Sequence, residues 1–286
     1  MRFLAALLFW LLTTVLLAVA VPATWAQTKV VSEGGYAGLA ANAAKDPRLR
    51  EAMASELTTQ ITELAADKGY RLANRELVHA VTAAYTSNPG FPGQFAQANR
   101  IAHRWMFTDS VRHDDSSGEG DRWLVDIAPM LRDASLRGTL GNLNLDVPDT
   151  VMVPITVPDS SSLRPGQLKP LATWGPWASI GVCVLTGVFA LLTLAVARTR
   201  GKALAALGVS ALLVGAAGWA GLEVGRRYID DALNRTTGNI RQVADVMVHT
   251  AEGSLHQWLN VTLIVGVGLV VIGVVVSLLS GLSRSE

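Results

Sequence analysis

Two groups of residues have the types and spacings from which chemistry can be built. In the first, Asn99, Arg100 and His103 are followed a short distance on by His113, Asp114 and Asp115. An imidazole beside a carboxylate is a workable acid–base pair and a workable ligand set for a divalent metal. His103, His113 and Asp114 are therefore the candidate catalytic residues, with Asp115 as a further partner. The competing reading is structural: Asn99 and His103 stand one helical turn apart beside an apolar stripe and bond neighbouring backbone, while His113 to Asp121 is a solvated turn. In the second group Asp245, His249, Glu252 and His256 follow one another at spacings of four, three and four. A histidine with a carboxylate one turn away can ligate a cation or sense acid. His249 and His256 lie two turns apart, however, about 10 Å along a helix and too far to share one ion, so a salt-bridged face is the alternative. His79 is a lone histidine on a predicted helix and reads as structural.

No contiguous catalytic signature accompanies these groups: GxSxG, HExxH, GxxxxGK[ST], CxxC and GxGxxG do not occur. No cofactor is implied. Cys183 is the single cysteine, which excludes an internal disulfide framework and multi-cysteine metal sites, and its apolar surroundings suit a small packing residue.

The elements that must position these residues are set by composition. Of 286 residues 50% are hydrophobic and only 16% charged, against about 25% charged in an ordinary soluble domain. Mean hydropathy is +0.33. Lys plus Arg number 24 and Asp plus Glu 23, so there is no basic field for nucleic acid. Phe3 to Val21 is uncharged and long enough, with the residues to Ala26, to cross a bilayer core of about 30 Å. Thr24-Trp25-Ala26 also resembles a signal-cleavage region. The run's length, with Pro22 and Trp25 at the cleavage region, favours a retained anchor over residues 1–26. Three further spans are predicted at about Trp177 to Ala197, Ala203 to Leu222 and Trp258 to Leu282. None holds an ionisable residue at bilayer depth, which argues against a stand-alone ion-coupled carrier.

Arg198, Arg200 and Lys202 crowd the linker between two spans without an acidic residue, so that linker is expected inside the cell. Residues 27–173 and 223–257 then lie outside. The larger segment holds 15 basic and 17 acidic residues and is long enough for its own core. Within it Asp46-Pro47 starts a helix along Leu49, Met53, Leu57, Ile61 and Leu64, ending near Gly69. Helices are also predicted over Asn74 to Thr86 and Gln94 to Thr108. Strands are predicted over Arg122 to Ile127 and, with Pro154 confining it to an edge or bulge, Val151 to Val157. Residues 228–257 form an amphipathic helix whose stripe, Ile240, Val243, Met247, Ala251, Leu255 and Trp258, should lie on the outer leaflet or against the larger outer segment. Small residues recur every four positions at Ser179-Cys183-Gly187, Ala211-Gly215, Gly221-Gly225 and Gly273-Ser277-Gly281. Such faces favour helix association, including a homo-oligomer.

Several short motifs together resemble a group of uncharacterised actinobacterial integral membrane proteins. They are Gly35-Tyr36 with Asp46-Pro47, Ala98-Asn99-Arg100-Ile101-Ala102-His103, Val125-Asp126-Ile127-Ala128-Pro129, Asp159-Ser160, Trp174 with Trp177, and Arg227-Tyr228. The loops His113 to Asp121 and Ser161 to Gln167 have no counterpart there. The resemblance implies an N-terminal hydrophobic segment, an extracytoplasmic domain, three closing spans and an envelope setting, with no activity attached. The expected architecture is an α-helical polytopic plasma-membrane protein. It has a mainly helical α+β extracytoplasmic domain at 27–173 and a three-helix transmembrane region at 174–286. The expected role is non-enzymatic: the outer domain binds an envelope protein, lipid or glycan. The alternatives are an extracytoplasmic metal-dependent hydrolase and an accessory subunit of a transporter.

Overall fold

The computed structural model describes residues 2–67, 74–108, 123–126, 152–155, 167–234 and 238–282. They form helices α1 (Arg2–Ala26), α2 (Glu33–Ala43), α3 (Pro47–Asp67), α4 (Arg75–Ser87) and α5 (Phe91–Phe107). Two short strands follow, β1 (Trp123–Asp126) and β2 (Met152–Ile155), and then helices α6 (Lys169–Val196), α7 (Arg200–Leu233) and α8 (Gly238–Leu282). Four helices are long and apolar enough to cross a membrane: Phe3–Val31, Lys169–Val196, Arg200–Asp231 and Gly238–Ser280. The chain is a helical membrane protein. It divides into two compact units. One comprises Met1–Val30, Thr173–Tyr228 and Glu252–Glu286; the other comprises Val31–Ala172 and Ile229–Ala251.

In hydrocarbon every backbone polar group must be satisfied internally, and the described residues of the first unit are accordingly helical apart from the linker at 197–199. Its hydroxyls follow the same rule: Thr13 donates to the Phe9 carbonyl at 2.7 Å and Thr193 to that of Phe189 at 2.8 Å. The Trp10 indole donates to the Ala206 carbonyl at 2.8 Å, and one turn on the Thr14 and Ser210 hydroxyls are 2.7 Å apart, so α1 runs parallel to α7. Phe9 meets Phe189, and Thr24 meets Cys183 at 3.3 Å, so α1 and α6 are antiparallel. The backbones of α7 and α8 come close together. A Cβ added to Gly201 would sit 2.7 Å from the Gly273 carbonyl oxygen, and one added to Gly208 would sit 2.7 Å from that of Gly266. Glycine is needed there because backbone meets backbone.

This interface uses glycines at seven-residue spacing, Gly201-Gly208-Gly215 against Gly266-Gly273, together with two of the expected four-residue faces, Ala211-Gly215 and Gly273-Ser277. Gly215, Ser277 and Gly273 take part, while a Cβ on Gly187, Gly221 or Gly225 would meet nothing. A repeat of seven keeps one face toward the partner helix, the geometry of a shallow left-handed crossing.

The second unit is built from α2 to α5 and the first turns of α8. Ser32 caps α2 by accepting from the Gly35 amide, and Asn74 caps α4 by accepting from the Leu77 amide at 3.1 Å. Asp46 caps α3, its Oδ1 accepting from the Arg48 amide at 2.8 Å, with Pro47 at the first helical position. The α3 stripe Leu49, Met53, Leu57 and Ile61 is buried as its spacing requires. It packs with Ala40, Ala43 and Ala44, with Val78 and Tyr85, with Phe91 and Phe95, and with Val246 of α8; Val243 and Met247 lie against the same cluster. Of the expected stripe, Val243 and Met247 thus turn to this core, the second of its two expected surfaces, while Leu255 and Trp258 belong to the first unit. The stripe is centred on Val246, which the sequence reading left out, and the helix starts at Gly238 because α7 continues to Leu233.

β1 and β2 pair antiparallel, Trp123 opposite Ile155 and Val125 opposite Val153, which leaves Pro154 on a strand that is an edge, as expected. Two four-residue strands do not make a sheet layer, and the described core is helical throughout. An α+β domain is thus not supported: the alternation that predicted the strands extends too briefly to build a second layer. The sequence also returns to helical spacing over Met130 to Leu140, which lie outside the described residues.

Candidate functional site

His103 sits on the face of α5 that meets α2. Its side chain is buried, with 5% of its surface exposed. Its ring stacks on Phe107, one turn along, with centroids 4.2 Å apart and planes 14° from parallel, and lies 5.3 Å from the ring of Tyr36. Burial pushes the Tyr36 hydroxyl above its ordinary range. Beside this aromatic group Arg104 grips Glu33 through two hydrogen bonds, 3.0 Å from Nε and 2.8 Å from Nη2. That bonding holds the Glu33 carboxyl below its ordinary value. Asn99 donates to the Phe95 carbonyl at 2.9 Å, as the structural reading of that residue has it, and Arg100 donates to Gln97. His113, Asp114 and Asp115 lie outside the described residues. The arrangement around His103 is one of stacked rings and a surface ion pair, and its chemical effect is to clamp α2 to α5.

The polar residues of α8 are divided between the two units. In the second unit, Arg48 donates to both carboxylate oxygens of Asp46, 3.2 Å from Nε and 2.9 Å from Nη2. The Asp46 carboxyl lies below its ordinary value through the Arg48 guanidinium and then the Arg48 amide, with His249 adding to the effect; Asp245 helps hold the Arg48 charge. Asp245 and His249 thus complement the opposite charges at the start of α3. In the first unit Glu252 is buried at 7% exposure, contrary to the expectation that the whole polar stripe faces water or a domain surface. His256 stacks on Trp219 with centroids 3.9 Å apart, and the Trp219 indole donates to Asn260 at 3.2 Å. Among the described residues no three His, Cys, Asp or Glu side chains gather as a metal site. His79 meets Glu51 at 3.2 Å and ties α4 to α3.

The two ends of the membrane bundle differ in chemistry. Arg198, Arg200 and Lys202 share one end with the start of α1 and the finish of α8. The other end carries Trp25, whose indole donates to Ser254, with Trp219 and the outward-facing Trp174, Trp177 and Tyr228, the last three 70%, 72% and 75% exposed. Sequence reading identified the basic linker but not the tryptophan end, although the aromatic spacing at the span borders was there to be read. Comparison of the chain with protein-family models, with curated proteins and with solved structures gave no match.

Proposed function

We propose that the chain is a non-enzymatic cell-envelope protein of the plasma membrane. In this reading α1, α6, α7 and α8 anchor an extracytoplasmic interaction domain that binds an envelope protein, lipid or glycan. The observation that carries the reading is the chemical asymmetry of the bundle. Arg198, Arg200 and Lys202 at one end suit the cytoplasmic leaflet, and Trp25, Trp174, Trp177 and Trp219 at the other suit a membrane–water interface. Residues 31–172 and 229–251 are both entered from the tryptophan end of the chain's spans, which supports an outside location for them. The bonds of Trp10 and Thr14 to α7 support α1 as a retained anchor, since cleavage would remove partners from Ala206 and Ser210. The actinobacterial envelope setting belongs to this proposal and rests on the short motifs alone.

The test is site-specific photocrosslinking in cells of the full-length protein, with the photoreactive residue at Leu77 or Ile101, which are exposed apolar positions on α4 and α5. A discrete protein, lipid or glycan adduct at one of them is the expected result. Adducts to water alone at every surface position of the second unit would defeat the reading.

A further inference from the structure

The basic end of the membrane bundle contains a groove of about 420 Å³ lined by Leu191, Leu194 and Ala195 of α6, Arg200 and Leu204 of α7, and Val276 of α8. Five of these residues are apolar, and the sixth places a guanidinium at the wall. Arg198 and Lys202 flank Arg200 in sequence and are likewise exposed. Among the described residues none of the three forms an ion pair. The neighbouring sequence supplies little to neutralise them: no Asp or Glu occurs in residues 169–222 or 253–285. The groove therefore joins an apolar trough at bilayer depth to an exposed cluster of positive charge at the bilayer surface. A ligand that satisfies both parts has a hydrocarbon chain and an anionic head.

We propose that this groove is a binding site for an anionic membrane phospholipid. The acyl chain lies along Leu191, Leu194, Ala195, Leu204 and Val276, and the phosphate is held by Arg200. The guanidinium fork matches two phosphate oxygens at once, and Arg198 and Lys202 add charge within a Debye length. A zwitterionic lipid brings its own ammonium group to the same place and gains less from the three cations. This site belongs to the bundle alone and does not depend on whether the second unit has a partner.

The test uses full-length protein in mixed micelles containing phosphatidylglycerol and phosphatidylcholine with identical acyl chains, and native mass spectrometry to count the lipids retained. Wild type is expected to retain phosphatidylglycerol over phosphatidylcholine by about fivefold or more, the scale of one juxtamembrane charge. Arg200→Gln should remove that preference. Ala195→Phe, which fills the trough, should lower phosphatidylglycerol retention, and Arg226→Gln, an exposed cation on α7 away from the groove, should change nothing. Leu204→Phe and Arg200→Lys stand in for any variant that fails to give a monodisperse helical protein, the latter keeping the preference in part. Equal retention of both lipids by wild type would overturn the site. So would a preference that survives the groove-filling variants, which would put the headgroup on the basic linker with the trough unused.

Discussion

The imidazole of His103 is stacked on Phe107 and flanked by Tyr36, so its ring surface is used in packing. Shape should then matter more than basicity at this position. His103→Phe is expected to keep the melting midpoint of the detergent-solubilised protein near wild type, while His103→Ala lowers stability by about 2 kcal/mol through the cavity left between two rings. The opposite order would reinstate a chemical role for the imidazole. Glu33 makes a pH prediction whose sign follows from its partner. Because Arg104 holds the folded carboxyl below the ordinary value of 4.5, the folded state binds that proton less readily than the unfolded chain. The pair's contribution is therefore present above about pH 4.5 and is lost as pH falls through the lower folded value. Glu33→Gln should be slightly less stable than wild type at pH 7, and the difference should shrink toward acid, as followed by thermal melts across pH 3 to 7. His103 was identifiable from sequence as a polar residue beside an apolar stripe, and Phe107 one turn on was equally visible. Tyr36 was not, because only the tertiary packing of α2 on α5 brings it there.

Local signals foretold some helices and not others. Caps and spacing gave α3 and α4, since Asp46-Pro47 and Asn74 are side-chain chemistry that acts within a few residues, and spacing alone gave α5, whose start at Phe91 has no side-chain cap. The helix α2 was not foreseen. Its sequence carries Gly34, Gly35 and Gly38 among alanines, a composition of poor intrinsic propensity, and it is held by burial of Ala37, Ala40 and Ala43 against neighbouring helices. The glycine interface of α7 and α8 was foreseen only in part: Ala211-Gly215 and Gly273-Ser277 were legible as four-residue faces, while Gly201, Gly208 and Gly266 follow a repeat of seven. It predicts that Gly208→Val destabilises the detergent-solubilised protein by about 1–3 kcal/mol through overpacking against Gly266. Gly221→Ala, where nothing lies within 4 Å, should leave the melt unchanged. Val246 offers the matching test in the second unit: at 2% exposure, Val246→Asp buries a carboxylate in the cluster of Leu49, Leu57 and Phe91 and should cost about 3 kcal/mol.

At the scale of the whole chain, the second unit is discontinuous, drawing Val243, Val246 and Met247 from residues far beyond the rest of its core. A fragment of residues 31–172 should therefore lack a cooperative thermal transition, and a chain in which residues 238–251 are fused after 172 by a flexible linker should regain one, as read by circular dichroism. The proposed topology is separately testable. In a Cys183→Ala background, an impermeant thiol reagent applied to intact cells should label Ser117→Cys and spare Thr199→Cys, and the reverse pattern would invert the orientation. The α7–α8 interface also limits which insertions and deletions the chain can accept. Leu259, Gly266 and Gly273 of α8 stay in phase toward α7 because they are whole heptads apart. One residue inserted between Leu259 and Gly266 turns everything beyond it by about 100°, so only one side of the insertion can still meet α7. Seven inserted residues restore the phase but lengthen the helix by about 10 Å, a third of the bilayer core of about 30 Å. The length of this helix is thus constrained twice, by angular phase and by membrane thickness.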